Sequence, residues 1–508
     1  MKRKIRRQLD NAKRRIQNRL DRPAAFCPPA PVLGSRAIRY EVADKTRAFA
    51  HGGVGTILRL ARDSGLVAAI DAHLHLLKFH FPYHESDHVL NVALNFLCGG
   101  TCLDDIELRR NDEVFLDALG ADRIPDPTTA GDFCRRFVGE SVLDLLTAID
   151  VARLNVWRRQ PPQFFERDTI EADGATVGTL GECKRGMDVA YNGVWGYHPL
   201  LVTLAETKEV LAIFNRPGNR PSHEGADAYF DDAVALCRRA GFKRIVLRGD
   251  TDFTQTHKLD EWNDSGDVRF YFGMDAQPNL KALAEAQAPA AWRKLQRRTR
   301  PIKGPPRRRP ENVKEAIVVA REYENVKLLS EEVAEFDYRP GKCKRTYRMV
   351  AVRKNLSIER GQNVLFEDLR YFFYLTNDGD SPADEVVFES NDRCDQENII
   401  GQLKSAVHAL KAPLNGLESN WAYMVMASLA WTLKAWWALW LPEEPGRLQQ
   451  KHRDEKQAIV KMKFKQFVHA FIALPCQIVR TGRRLAYRIL GWNRWLPTFF
   501  RQTEALRL

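Results

Sequence analysis

Between about residues 37 and 160, apolar side chains recur every three to four positions, in stretches such as GTILRLARDSGLVAAIDAHL and HVLNVALNFLCGG, so this part reads as packed helices. The segment DPTTAGDFCRRF offers Thr128 or Thr129 as a helix cap. At about 165 the period shortens to two. RDTIEAD, HPLLVTLAE and VLAIFNRPG read as strands, with Glu206 to Glu209 as a tight turn between the last two. A helix from about Ser222 to Ala240 follows, then the strand RIVLRGD, a short helix around Gln255 to Trp262, and the strand VRFYFGM. The order is β-β-β-α-β-α-β. Short connections make the first three strands antiparallel, and the helical crossover returns the fourth parallel to the sheet.

Further on, EVAEFDYRP, RTYRMVAVRK, RYFFYLTN and EVVFES suggest a largely β segment, and DRCDQENIIGQLKSAVHAL reads as a helix. The stretch from Trp421 to Leu441 is apolar enough to raise a membrane span, but Ser428, Thr432 and Lys434 within it favour a buried, Trp-rich helix. These changes of pattern divide the chain into a basic arm (1–36), a helical domain that suits DNA binding (37–160), a first core part (161–275), a β-rich insertion with a basic loop (276–387), a second core part (388–445) and a helical basic C-terminal region (446–508). The fold class is α/β, or α+β.

The 508 residues, 44% hydrophobic, suffice for several domains with real cores, and the formal charge of +13 points to a polyanionic partner. Nucleic acid is the leading candidate, and no membrane association is expected. Nine scattered cysteines without paired CxxC spacing read as free thiols of a reducing compartment and offer no zinc site. The N-terminus MKRKIRRQLDNAKRRIQNRL lacks the apolar run of a secretory signal and reads as a solvated arm or a basic helix. In WRKLQRRTRPIKGPPRRRP, helix is excluded past Pro301. Arg297, Arg298, Arg300, Arg307, Arg308 and Arg309 there form either a solvated loop or a cationic strap over a nucleic-acid backbone.

Arg393, Glu397 and Lys404 stand at i, i+4 and i+11, so a guanidinium, a carboxylate and an ammonium share one helix stripe. Alone, such a stripe is more often a solvated face. Its weight comes from Asp173 in ADGAT and Asp250 in RGDTDF, each directly after a strand, with Asp252 as a rival to the second and Glu171 on the same strand face as Asp173. His198 and His257 read as structural. Among the C-terminal tryptophans, Trp436, Trp437 and Trp440 read as core, and Trp492 and Trp495 are the better candidates for nucleic-acid contact.

The segment DGATVGTLGECKRGMDVAYNGVWGYHPLLVTLAETKEVLAIFNRPGN, followed by RIVLRGDTDF, resembles the catalytic core of DDE transposases from bacterial insertion sequences. The resemblance runs from about 165 to 275 and resumes at about 388 to 410. It implies a ribonuclease H-like fold with Asp173, Asp250 and Glu397 as catalytic, metal-binding acids. A subgroup carries a Tyr-x2-Arg-x3-Glu-x6-Lys signature; Arg393, Glu397 and Lys404 fit it, and Ser390 stands at the Tyr position. The resemblance further implies two Mg²⁺ ions, with Mn²⁺ as a substitute, and cleavage of transposon ends followed by strand transfer into target DNA. Arg393 and Lys404 would hold phosphate, two chains would pair the ends as a homodimer, and the protein would be bacterial, cytoplasmic and nucleoid-associated. Two alternatives stay open: a ribonuclease H-like nuclease without strand transfer, and a domesticated DNA-binding protein that has lost activity.

Overall fold

The computed structural model describes residues 3–21, 46–297, 313–360, 363–481 and 484–507. Nine strands make up one mixed sheet. In chain order they are β1 (Asp168–Gly174), β2 (Leu200–Leu204), β3 (Val210–Phe214), β4 (Ile245–Gly249), β5 (Val268–Met274), β6 (Arg293–Lys294), β7 (Glu324–Tyr338), β8 (Tyr347–Arg360) and β9 (Asn363–Thr376). Across the sheet the order is β6-β7-β8-β9-β5-β4-β1-β2-β3. The helices used below are α1 (Gly139–Trp157), α2 (Ala226–Ala240), α3 (Ala383–Asn391), α4 (Cys394–Ser405) and α5 (Leu417–Leu439).

β1, β2 and β3 pair antiparallel. Only β2 and β3 are joined by the expected short turn; between β1 and β2, residues 175–199 form a separate three-stranded sheet of Val177–Gly178, Trp195–Tyr197 and Asp188–Val189. After β3 the chain crosses over through α2, and β4 returns parallel to β1. β5 lies parallel to β4. Every residue of β2 and β4 is buried, as expected of near-continuous apolar strands covered on both faces. The β-rich segment after β5 continues this same sheet, because Phe373–Thr376 of β9 pairs antiparallel with Tyr271–Met274 of β5. The long β7–β8–β9 pairing runs out to exposed apolar side chains, among them Val326 and Leu328 on β7 and Phe366 and Leu369 on β9.

Three expectations are corrected. EVVFES is helical, within α3, because Pro382 caps it, Asp384 and Glu385 sit in its first turn, and Val386, Val387 and Ser390 turn inward with helical spacing. The helix Pro127–Arg135 is capped by Asp126, whose carboxylate accepts the Thr129 N–H at 2.8 Å; Pro127 at the first helical position moves the cap ahead of both threonines. The C-terminal region is not helical throughout. Cys476–Thr481 and Arg484–Ile489 form a hairpin, Ala48–Phe49 adds a third strand, and Cys476 and Ile478 are buried in the alternation of a strand. Arg3–Leu20 is a helix with most side chains exposed.

α5 is the hub of the helical layer. It is buried from Ser419 to Leu439, and it packs against α1, against the helix Glu85–Leu97 and against β3. A helix that is apolar all round belongs inside a protein or a bilayer. No described helix is long and apolar enough to cross a membrane. Lys434 is accommodated because its ammonium donates to the Val460 carbonyl at 2.7 Å and lies 4.0 Å from the Trp431 ring centroid.

The indoles of α5 tie it to its neighbours. Trp421 donates to the Ile213 carbonyl, Trp431 to the Lys208 carbonyl at 2.5 Å, and Trp437 to the Thr56 hydroxyl at 3.0 Å. Trp436 donates to Glu209 at 2.6 Å, in the turn between β2 and β3. The same fully buried carboxylate accepts Trp157 of α1 at 2.9 Å and Arg153 of α1 at 3.1 Å. Replacing Glu209 by Ala would leave a buried guanidinium and two indole N–H groups without this acceptor. The expected loss is about 3–5 kcal/mol, read as a lower denaturant midpoint; a loss below about 1 kcal/mol would show that the network contributes little.

Candidate active site

β1 and β4 are parallel neighbours with Glu171 opposite Arg248. Two residues further along, Asp173, still paired with Leu201 near the end of β1, and Asp250, directly after β4, stand at the same end of adjacent strands. α4 brings the third acid, Glu397, and Arg393 caps its start. The Arg393 guanidinium links two of the acids, with Nη1 3.1 Å from Asp250 Oδ2 and Nη2 3.8 Å from Glu397 Oε1. Its side chain is 19% exposed, against 39% for Asp250 and 63% for Glu397. Asp250 and Glu397 thus face solvent while the cation lies deeper. Asp250 Oδ1 also accepts the Asp252 N–H at 3.1 Å, so Asp252 supports the turn and Asp250 is the acid that meets Arg393.

Asp173 is pushed up to about 6 by burial first, and next by the charge of Asp250; Arg393 opposes this, and Glu397 adds to it. Lys404 is held below the usual lysine range by burial, and the nearby Asp173 carboxylate offsets part of that. Two cations from one helix therefore flank three acids, one from β1, one from the end of β4 and one from α4. Gly174 follows Asp173 for reasons of space: a Cβ there would lie 2.4 Å from His198 Nε2.

A 490 Å³ cleft adjoins the acids, lined by Asp250, Thr251, Tyr374, Asn391, Arg393 and Glu397 among others; Asp173 is not one of its walls. Ser390 is buried and donates to the Val386 carbonyl at 2.8 Å, within its own helix. A tyrosine reaches the cleft from elsewhere. Tyr374 on β9 shares hydrogen bonds with Asn391, the shorter 3.0 Å. No spacing in the sequence could have signalled this, because Tyr374 reaches the cleft through the pairing of β9 with β5.

The remaining candidates divide clearly. His198 is buried among Thr176, Ser222 and the Tyr191 ring, and burial lowers it to about 4. His257 pairs with Asp227 at 3.0 Å on the surface. Trp436, Trp437 and Trp440 are buried, while Trp492 and Trp495 are partly buried against the core. Arg297 pairs with Glu331 of β7 at 2.7 Å. Arg298, Arg300, Arg307, Arg308 and Arg309 lie outside the described residues.

Among the described residues no three His, Cys, Asp or Glu side chains stand in metal-ligating geometry. The donor chemistry at this site nonetheless suits a hard divalent cation: three carboxylates, one of them raised to about 6 by burial and the charge of its neighbours, need more positive charge than Arg393 and Lys404 supply.

The family model described as "Transposase DDE domain group 1" matches residues 33–489. No curated protein matches the chain. A solved structure, "Cryo-EM structure of piggyBac transposase synaptic complex with hairpin DNA (SNHP)", aligns over 82% of this chain and 81% of that chain, with 8% sequence identity and a TM-score of 0.34. A likeness that low supports no statement about fold or ligand.

The raised Asp173 carries a stability consequence whose sign is set by linkage. A folded-state value of about 6 against 3.8 means that the folded chain holds this proton more tightly, so its contribution is complete below about pH 4 and is lost as pH rises through 6. Asp173→Asn should therefore be more stable than the metal-free wild type at pH 7.5, by about 1–2 kcal/mol after allowance for solvent screening. The thermal midpoints of the two should converge near pH 4. Equal midpoints at both pH values would show that Asp173 ionises without strain.

Proposed function

Because the chain belongs to the transposase DDE domain group 1 family, we propose that it cleaves DNA at the ends of a bacterial insertion sequence and joins the freed ends to target DNA. Membership of the family makes the chain a transposase, a nucleic-acid-cleaving enzyme. The finer reading rests on one observation above all: Asp173 and Asp250 end adjacent parallel strands, and Arg393 bridges Asp250 to Glu397 on the following helix. The order β3-β2-β1-β4-β5, with three antiparallel strands followed by two parallel ones, supports a ribonuclease H-like core.

In this reading Asp173, Asp250 and Glu397 would hold two divalent ions, Mg²⁺ or Mn²⁺, which would supply Lewis-acid stabilisation of the attacking and leaving oxygens. The side chains do the rest. Arg393 and Lys404 offer N–H donors to the phosphate oxygens that gain charge, and Arg393 can present a planar pair of them. Exposure of Glu397 and Asp250 leaves the acids open to a duplex. The basic run from Arg297 to Arg309 neutralises backbone phosphates without reading sequence. The Ser390 hydroxyl is committed to the Val386 carbonyl of its own helix, and Tyr374, which lines the same cleft, offers a second hydroxyl there. A homodimer holding two ends, in the bacterial cytoplasm and associated with the nucleoid, completes the proposal.

The test is incubation of the purified protein with Mg²⁺ and a labelled duplex carrying the element's end, beside Asp173→Ala, Asp250→Ala and Glu397→Ala. Each variant should lose at least about 1000-fold in cleavage and joining while still binding the duplex. Cleavage without joining would replace the transposase mechanism with that of a nuclease. Binding without metal-dependent chemistry would leave a DNA-binding protein.

A further inference from the structure

Arg248 and Glu171 are charged, almost wholly buried, and sit at the centre of the sheet, each two residues before an acid of the site. They are direct partners across β4 and β1: Arg248 Nε donates to Glu171 Oε1 at 2.9 Å and Nη2 to the same oxygen at 2.5 Å. The rest of the guanidinium points elsewhere. Nη1 donates to the Glu389 carbonyl at 2.8 Å, and Nη2 reaches the Asp392 carbonyl at 3.3 Å. Those carbonyls belong to the end of α3 and its cap, and the next residue is Arg393.

We propose that Arg248, held by Glu171, is a positioning residue that sets where α4 starts, and so where Arg393 and Glu397 stand relative to Asp173 and Asp250. The inference rests on the function proposed above. The connection from α3 to α4 is a short link after a helix end, where late carbonyls accept donors from outside the helix. Arg248 supplies them from the same strand that ends in Asp250. One planar fork thus joins the two strands that carry Asp173 and Asp250 to the helix that carries Glu397. Glu389 is held further, since its carboxylate pairs with Arg167 and lies 3.4 Å from Arg248 Nη1.

An arginine suits this geometry and a lysine does not. The acceptors lie in different directions, and the guanidinium reaches them with donors fixed in a plane, where an ammonium offers three donors from a single point. A purely stabilising role is a poor explanation for the pair, because burying two charges is costly and apolar residues of similar volume often hold a core equally well. What an apolar pair could not do is fix the distance from β4 to the start of α4.

The test compares wild type with Arg248→Lys and Glu171→Gln in the full chain. It measures Mn²⁺ binding by electron paramagnetic resonance without DNA, and end cleavage at saturating duplex. With Arg248→Lys, Mn²⁺ affinity should fall about tenfold and the saturated cleavage rate about 30- to 100-fold, with the half-saturating duplex concentration within about twofold of wild type. Glu171→Gln should move the same quantities the same way by less, and it decides the matter if the lysine variant does not fold. Unchanged Mn²⁺ affinity and rate, or a lower thermal midpoint with both unchanged, would overturn the positioning role. If wild-type protein binds Mn²⁺ through Asp173 yet cleaves no DNA, the proposed function fails, and the Mn²⁺ measurements still decide the role of Arg248.

Discussion

One buried carboxylate holds the main parts of the molecule together. Glu209 lies in the turn between β2 and β3, where a glutamate would ordinarily face water, and here it is fully buried against Arg153 and Trp157 of α1 and Trp436 of α5. A buried charge is tolerable only when its partners satisfy it. The helical layer and the sheet are therefore joined through a contact that fails if any one of them shifts. The other indoles of α5 extend the principle, each giving its N–H to a different part of the chain.

The site depends on the opposite condition, an excess of charge that its neighbours do not cancel. Three carboxylates meet two cations on one helix, and Asp173 is raised to about 6, by burial first and then by the charges of Asp250 and Glu397. Such frustration costs stability in the free protein and marks sites prepared for a charged ligand. The sheet confines it. Asp173 and Asp250 cannot move apart, because β1 and β4 are paired in register up to Glu171 and Arg248.

The long interval between Asp250 and Glu397 matters for the same reason. Its strands do not form a separate body beside the core. β7, β8 and β9 prolong the sheet, and β9 returns beside β5, which delivers α3 and then α4 to the open end of β1 and β4. An insertion of this kind positions a distant acid by sheet pairing, a more rigid device than a loop of that length.

The sequence by itself determined much of this. The shift from helical to alternating period near residue 165, the order of strands and crossover, and the buried character of the Trp-rich segment were all legible, since each depends on local periodicity. That Asp173 and Asp250 stand at the same end of neighbouring strands, with Arg393 between Asp250 and Glu397, was legible in part, because Asp173 lies near the end of a strand, Asp250 directly follows one, and Arg393 and Glu397 are one helical turn apart. EVVFES was misread because six residues with two β-branched side chains fit a strand as well as a short helix, and only packing beneath the sheet decides. The C-terminal hairpin is local, with Thr481 paired to Arg484, and its short alternating runs went unread among basic residues; only its third strand, Ala48–Phe49, lies more than 400 residues away. Tertiary structure alone decided that Tyr374 stands at the cleft beside Ser390, that Arg248 clamps the end of α3, and that Glu209 is buried. Those are contacts between residues far apart in the chain, and no period or spacing records which distant side chains a folded sheet will bring together.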